Sequence, residues 1–572
     1  MKHGSIIGKY KRTVARHLSQ ETGIPEEKAL SLFEVPPDRK LGDIAFPCFT
    51  LAREMRKPPH QIAEEIALLF DSVKEVEAVE SNGPYVNFFF NKAMIAEELF
   101  KEIKSKKEEY GQLPKKGKKF MVEYFHANTH KGVHIGHIRN ISLGESLCRI
   151  LEKAGIKVVR VNYQGDIGPH VAKAVWGVLN LHKGEEPKEK RGVWLGKVYA
   201  EVNKLLKEKP ELEEEIREVT RKIYDNDPEY RKVWEKTRQW CLDDFEEIYR
   251  DFGVRYDRFY FESEVEKSAR EIARKLLRMG IAKESDGALI VDLEEHGLGV
   301  YVLLRSDGMP LYHTKDLALA ELKAKEYPDI DMSVHVVGKE QELYFKQIFK
   351  TFELYGNPLA GKSYHMIYEL VMLPEGKMSS REGTLVLYDD LKEKLLEFAE
   401  REVRKRHEDW SDDEVKKTAK SIAFAALKFS MLNRDNTKTL IFDWEKAMDF
   451  EGETGPYLQY TVTRIKSILR KSREEKAPAD LSVLSEPEER GLILHLARFP
   501  ETVEESASHY KPLLIAKYLV ELAQMFNEFY HKHPVLKAEE EVRRARLALL
   551  DSIRQVMENG LYLLGIDVLE KM

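Results

Sequence analysis

The stretch F-M-V-E-Y-F-H-A-N-T-H-K-G-V-H-I-G-H-I-R-N, Phe120–Asn140, decides the fold. Phe120–Phe125 is apolar and β-prone and reads as a strand. After a polar turn, Ile138, Ile141, Leu147, Ile150 and Leu151 recur at helical spacing. K-V-V-R-V-N-Y, Lys157–Tyr163, reads as the next strand. Strand, helix and strand form a β-α-β unit, the building block of a parallel doubly wound sheet. Such sheets bind ligands at the carboxyl ends of their strands. Glu123 and the H-I-G-H of His134–His137 fall at that end, and G-D-I-G, Gly165–Gly168, closes the second strand there.

His134 and His137 stand three apart at a helix start, so both rings can share one face. A helix N-terminus offers free N–H groups and partial positive charge, which favour phosphate. Two imidazole donors beside it suit the α-phosphate of ATP as charge builds up during displacement. Gly136 removes a side chain where a nucleotide could approach the backbone. Far downstream, G-K-M-S-S-R-E-G sets Lys377, Met378, Ser379, Ser380 and Arg381 between Gly376 and Gly383. Glycines on both sides predict a loop whose lysine and hydroxyls close over a leaving pyrophosphate. H-V-V-G, His335–Gly338, reads as a later strand, with Gly338 on the ATP side of the crevice. Taken alone, each motif has a bland alternative, surface histidines or an ordinary loop. In this order they read as two halves of one ATP site.

The two motifs resemble the signature of class I aminoacyl-tRNA synthetases. Longer blocks narrow the resemblance to the arginyl-tRNA synthetase family over essentially the whole chain. These are V-E-Y-F-H-A-N-T-H-K-G-V-H-I-G-H-I-R-N, L-Y-H-T-K-D-L-A, V-V-G-K-E-Q-E-L, F-E-G-E-T-G-P-Y-L-Q-Y and the ending N-G-L-Y-L-L-G-I-D-V-L-E-K-M. The resemblance implies a two-step ligation. Arginine and ATP, the latter with Mg²⁺ as a substrate complex, give arginyl-adenylate, and the arginyl group then passes to the 3′-terminal ribose of tRNA(Arg). It also implies that tRNA binds before arginine is activated.

A guanidinium is planar and permanently cationic, and carboxylates and carbonyl oxygens bind it best. Family positions for the amino acid match Glu123, Asn128, His134, Tyr312, Asp316 and Gln341. The resemblance implies that Asp316 grips the guanidinium, that Glu123 and Asn128 hold the amino-acid end, and that Tyr312 and Gln341 complete the pocket. Tyr312 and Asp316 are four apart, so a helix would put them on one face. The plainer alternatives are an Asp316 paired with Lys315 or Lys323, and a Tyr312 that fills core. A site that must pair a buried cation rejects neutral analogues strongly, so no editing domain is expected.

The chain departs from the general K-M-S-K-S loop. Ser380 stands at the second lysine position, followed by Arg381 and the acidic Glu382. In many arginyl-tRNA synthetases a lysine three residues before the first motif histidine is thought to compensate. Lys131 holds that position here, so Lys131 and Lys377 are expected to share the phosphate charge, with Arg381 as the alternative.

Composition sets the remaining limits. The 572 residues suffice for three or four domains. A net charge of −6 predicts no global affinity for nucleic acid, so RNA contacts must be local. Pro114–Lys119 and Arg401–Arg406 are basic candidates, each equally a solvated linker or helix face. The three cysteines are widely spaced, predict no structural metal and fit a reducing cytosol. No apolar run suggests a membrane span. A cytoplasmic monomer is expected.

The expected architecture is multidomain α/β. Residues 1–112 form an N-terminal α+β domain resembling the family's tRNA-elbow domain. Residues 113–404 form a Rossmann-type doubly wound catalytic domain with a helical insertion near 176–255 and a hairpin over 288–305. Residues 405–572 form an all-α bundle resembling the anticodon-binding domain. Family RNA contacts match Asn82, Tyr85 and Asn87 in S-N-G-P-Y-V-N-F, and Tyr457, Tyr460, Arg464 and Met572 near the other end. Aromatic rings stack on splayed bases and amides read their edges. The alternatives are a turn with an edge strand, and tyrosines packed inside a bundle. Two rival functions differ in class: another adenylate-forming enzyme, and a non-catalytic RNA-binding paralogue.

Overall fold

The computed structural model describes residues 5–36, 41–70, 73–188, 190–374, 386–472 and 479–572. At the N-terminus, Ser5 caps the helix Ile6–Thr22 by accepting from the Gly8 amide at 2.9 Å. This helix and its neighbours cover an antiparallel sheet of β1 (Ile44–Pro47), β2 (Val76–Asn82) and β3 (Tyr85–Phe90), in the order β1-β3-β2. Strand β1 lies within Pro36–Pro47, which reads in sequence as turn. All four of its residues are buried, so it lacks the alternation that marks a half-buried strand.

The central sheet contains β4 (Lys119–Glu123), β5 (Lys157–Gln164) and β6 (Arg258–Phe261). A small antiparallel sheet follows in the chain: β7 (Ala282–Ser285), β8 (Ala288–Asp292) and β9 (Val300–Leu304). It contains the expected hairpin plus one added strand. β10 (Met332–Gly338) and β11 (Ser363–Tyr368) complete the central sheet in the order β11-β10-β4-β5-β6, every pair parallel. The strand order reverses at β4, so the crevice lies beyond Glu123 and Gly338, which end adjacent strands. The edge strands β6 and β11 escape the sequence reading because R-F-Y-F is too short, and S-Y-H-M-I-Y too mixed, to show a period.

The β5–β6 crossover carries the helices Pro169–Asn180, Arg191–Glu208, Leu212–Tyr224 and Pro228–Phe252, over the stretch where an insertion is expected near 176–255. From Tyr388 onward the one strand among the described residues is β13 (Leu440–Ile441), which pairs with β12 (Val371–Met372), and the other regular elements are helices. The helix Tyr388–Arg406 runs through the expected 404/405 boundary. The first-motif helix, Ile135–Lys153, is buried on nearly every side. The sheet covers one face. On the other, Ser146 and Arg149 donate to the carbonyls of Leu563 and Tyr562, so the C-terminal bundle packs on the helix face turned away from the sheet. No helix among the described residues is long and apolar enough to cross a membrane.

Candidate active site

The first motif is a helix cap built from its own histidines. His134 is the N-cap residue, and its Nδ1 accepts from the Gly136 amide at 3.1 Å. His137 reaches back, and its Nδ1 accepts from the His134 amide at 3.2 Å. This reciprocal pattern is a capping box with imidazoles in place of the usual hydroxyl and carboxylate. With each Nδ1 accepting, each Nε2 carries the proton and is left as a donor. The two rings lie 3.9 Å apart. Burial, then Lys131, pushes the His134 pKa down to about 4. Burial, followed by His134, His126 and Lys131, holds His137 well below the ordinary histidine value. Both are therefore neutral donors at neutral pH. Gly136 serves this cap directly: a Cβ there would lie 2.9 Å from the His134 ring.

The turn before the cap is held from the insertion. His130 is buried with φ +62°, and its Nε2 lies 2.8 Å from the Thr237 hydroxyl. Its amide donates to the Cys241 sulfur at 3.1 Å. Lys131 emerges next, with Nζ 5.5 Å over the Tyr199 ring.

Lys377, Met378, Ser379, Ser380 and Arg381 lie outside the described residues. The chain on both sides of them is tied to the first-motif helix. Upstream, Arg139 donates to the carbonyls of Glu369 at 2.6 Å and Leu370 at 3.3 Å. Downstream, Tyr388 N donates to Val133 O at 2.9 Å, and His134 and Leu387 form an antiparallel bridge.

On the side expected to take the amino acid, the crevice floor holds several buried acids. Glu123, at the end of β4, is 3% exposed. Lys323 donates to one of its oxygens, and His335 Nδ1 lies 3.0 Å from the other. Lys323 and His335 hold its carboxyl well below the usual range despite burial. Glu262 heads the helix Glu262–Arg278 and accepts from Lys315 at 2.7 Å. Glu266 pairs with Arg270 at 3.4 Å and Asp166 with Arg238 at 2.7 Å. Asp316 differs. Its partner is the Tyr344 hydroxyl, and among the described residues it forms no ion pair. Burial raises its pKa to about 7. The pairings with Lys315 and Lys323 weighed in the sequence do not form, because those lysines neutralise Glu262 and Glu123.

Gly165, just past the end of β5, leaves room for the side chains of Asn128 and Glu262. A Cβ there would lie 2.2 Å from Asn128 Oδ1 and 3.2 Å from Glu262 Oε1. The buried Tyr163 hydroxyl and His126 Nε2 have no hydrogen-bond partner. Phe125 and His126 both have positive φ, +82° and +51°, a strained turn where β4 enters the crevice. Tyr312, 60% exposed, is not core, and Gln341 is exposed just beyond β10. The sequence reading missed Glu262, Lys315, Lys323, His335 and Tyr344 as members of this cluster. Only Glu262 carried a local signal, an acid at a helix start.

The expected RNA contacts are spread over both ends. Asn82 and Tyr85 pair across the β2–β3 turn, and Tyr85 meets the exposed Phe49 edge-on at 5.8 Å. Asn87 is 4% exposed beneath Gly42, so its amide does not face solvent. Tyr457 and Tyr460 lie within the helix Gly455–Lys471, Tyr457 in its first turn. Tyr457 is half-buried and its hydroxyl accepts from Asn527 at 2.8 Å. Tyr460 is exposed. Arg464 lies 4.6 Å over the ring of Tyr530 and Met572 packs on the bundle.

Comparisons with known proteins agree along the chain. Residues 100–444 match the family "tRNA synthetases class I (R), catalytic domain". Residues 458–572 match "DALR anticodon binding domain", and residues 8–90 match "Arginyl tRNA synthetase N terminal domain". The arginine–tRNA ligase of Clostridium perfringens is 35% identical over 98% of this chain and 100% of its own. That of Bdellovibrio bacteriovorus is 35% identical over 94% of this chain and 93% of its own. The solved Thermus thermophilus arginyl-tRNA synthetase superposes with a TM-score of 0.81 at 29% identity, covering 98% of this chain and 99% of that one. The Plasmodium falciparum enzyme, at 20% identity and TM-score 0.77, shares the fold over 99% of both chains. With its three family matches in order and full-length relatives of one kind, the chain belongs to the arginyl-tRNA synthetase family.

Proposed function

We propose that the chain activates L-arginine with ATP and transfers it to tRNA(Arg) for translation in the cytoplasm, acting as a monomer. The observation that carries the choice of amino acid is the charge count of the crevice. Glu123, Glu262, Glu266 and Asp166 each have a cation, and among the described residues Asp316 has none. One uncompensated buried carboxylate suits one guanidinium and leaves a neutral side chain facing an unpaired acid. Tyr344 orients Asp316, and the free Tyr163 hydroxyl and the Asn128 amide supply further polar contacts. Tyr312 and Gln341 would close the rim.

The arginine carboxylate oxygen attacks the α-phosphorus of magnesium-bound ATP. The bond to the bridging oxygen breaks and pyrophosphate leaves. His134 and His137 donate through Nε2 to the α-phosphate oxygens, Gly136 and Gly338 leave room for the nucleotide, and Lys131 shares the phosphate charge with Lys377. Met378, Ser379, Ser380 and Arg381 would complete the second motif. A terminal ribose hydroxyl of tRNA, the 2′ group in class I, then attacks the adenylate carbonyl, loses its proton and releases AMP. Catalysis is positioning and charge stabilisation with little side-chain acid–base work. Asn82 and Tyr85 would meet the tRNA elbow, and Tyr457, Tyr460, Arg464 and Met572 the anticodon arm. Bound tRNA would select the state of the pocket competent to activate arginine.

The test is arginine-dependent ATP–pyrophosphate exchange with and without tRNA carrying an arginine anticodon. Exchange only with tRNA is the expected result. Exchange with arginine alone would remove the gating. No exchange with arginine in either condition would overturn the reading.

A further inference from the structure

Asp251 is the penultimate residue of the insertion helix Pro228–Phe252, and its side chain is 2% exposed. Both features disfavour a carboxylate there. A helix C-terminus carries partial negative charge, and burial penalises the anion. Three donors from two other helices offset these penalties. The Tyr388 hydroxyl donates to Oδ2 at 2.6 Å, and Lys392 donates to the same oxygen. Lys420 pairs with Oδ1 at 2.7 Å. Tyr388 and Lys392 lie on the helix Tyr388–Arg406, and Lys420 on Asp412–Leu432 of the C-terminal bundle. One carboxylate therefore joins the insertion, the helix that follows the second motif, and the bundle.

Tyr388 is also where that helix meets the first motif. Its amide donates to Val133 O, Leu387 bridges His134, and the Ile135 amide donates to Val386 O at 3.3 Å. Val386 is the first described residue after the second motif. The hydroxyl that Asp251 holds thus belongs to a residue whose backbone sets the register of this pairing. Lys392 reinforces the clamp with a second bond, to Glu247 at 2.6 Å, and Lys190 of the insertion pairs with Asp389 at 2.7 Å. We propose that Asp251 is a positioning residue for ATP: through Tyr388 it fixes Val386 and Leu387 against the first-motif cap at His134, and so holds the phosphate-binding face of that cap in place.

The proposal rests on the reading of His134 as an ATP contact. The test is pyrophosphate exchange by the full chain with saturating tRNA, with KM measured separately for ATP and arginine in Asp251→Asn and Tyr388→Phe. Asp251→Asn is expected to raise KM for ATP about tenfold and to leave KM for arginine within about twofold, since a small misplacement of a reacting group has large kinetic effects. Tyr388→Phe keeps the ring and removes only the bonded hydroxyl, so it stays folded and should give the same split at roughly threefold. A purely structural role would lower kcat through lost active enzyme and leave both KM values unchanged. That result in Tyr388→Phe, or equal shifts in both KM values, overturns the proposal. His134→Asn runs alongside. If it too leaves ATP kinetics unaltered, the ATP-site reading has failed and the positioning role falls with it. If it impairs them while Tyr388→Phe does not, only the positioning role falls.

Discussion

The two sides of the crevice reach specificity by opposite electrostatic routes. At the first motif, a backbone cap and burial keep two histidines neutral, each with one donor free. On the side proposed to take the amino acid, buried charges are numerous but cancelled in pairs, and among the described residues Asp316 is left over. A phosphate site must serve a charge that develops during reaction, and fixed neutral dipoles do so without a standing charge. A cation site must discriminate in the ground state, and an uncompensated carboxylate does that directly. If this contrast holds, substitutions on the two sides should fail in different ways.

The largest effect is expected from Asp316→Asn. Removing the one unpaired acid should lower kcat/KM for arginine roughly 10³-fold, about the 4 kcal/mol typical of truncating a desolvated charge partner. Steady-state exchange checks this, and a loss below tenfold would mean that another acid carries the guanidinium. Lys323→Met asks the complementary question. It leaves Glu123 buried with His335 alone, and urea unfolding should show a loss of about 3 kcal/mol, as for other broken buried pairs. Activity lost without stability would instead make Lys323 a substrate contact.

The cap separates in a third pair of variants. In His134→Asn the side-chain oxygen takes the place of Nδ1, so the cap persists and the outward donor is lost. In His134→Gln the amide nitrogen takes the place of Nε2, so the donor persists and the cap weakens. Exchange should fall about 10²-fold in the first, as for other lost transition-state donors. The second should lose less activity and about 1 kcal/mol of stability, the usual worth of an N-cap. Equal losses in both would refute the division of labour between the ring nitrogens.

The same contrast explains what the sequence could reveal. The H-x-x-H motif is local, spanning His134 to His137, so residue spacing alone shows two histidines at a helix start and the strand–helix–strand frame around them, while the cap they form is seen only in the structure. The charge cancellation is not local. Lys323 meets Glu123 across 200 positions, and Lys315 meets Glu262 across 53, with no periodicity to betray either. Family resemblance named Glu123 as a ligand, and the structure shows both of its oxygens already engaged. Asn87 failed to reach the surface for a similar reason. Strand alternation puts it on the face of Tyr85, but the chain at Gly42 crosses over it. The short strands β1, β6 and β11 were hidden because burial on both faces or mixed composition removes the alternation that reveals a strand.

The most direct test of the contrast is the pH dependence of both KM values between pH 8 and about 5.5, at saturating Mg²⁺. Asp316 has a raised pKa of about 7, so below that pH it is neutral until the guanidinium draws off its proton. KM for arginine should be flat above pH 7 and climb toward tenfold per unit below it, and Asp316→Asn should abolish the climb. KM for ATP should stay flat throughout, because His134 takes up a proton only near pH 4 and burial holds His137 well below the ordinary histidine value. A flat arginine profile, or an ATP profile that titrates near pH 6.5, would contradict the account.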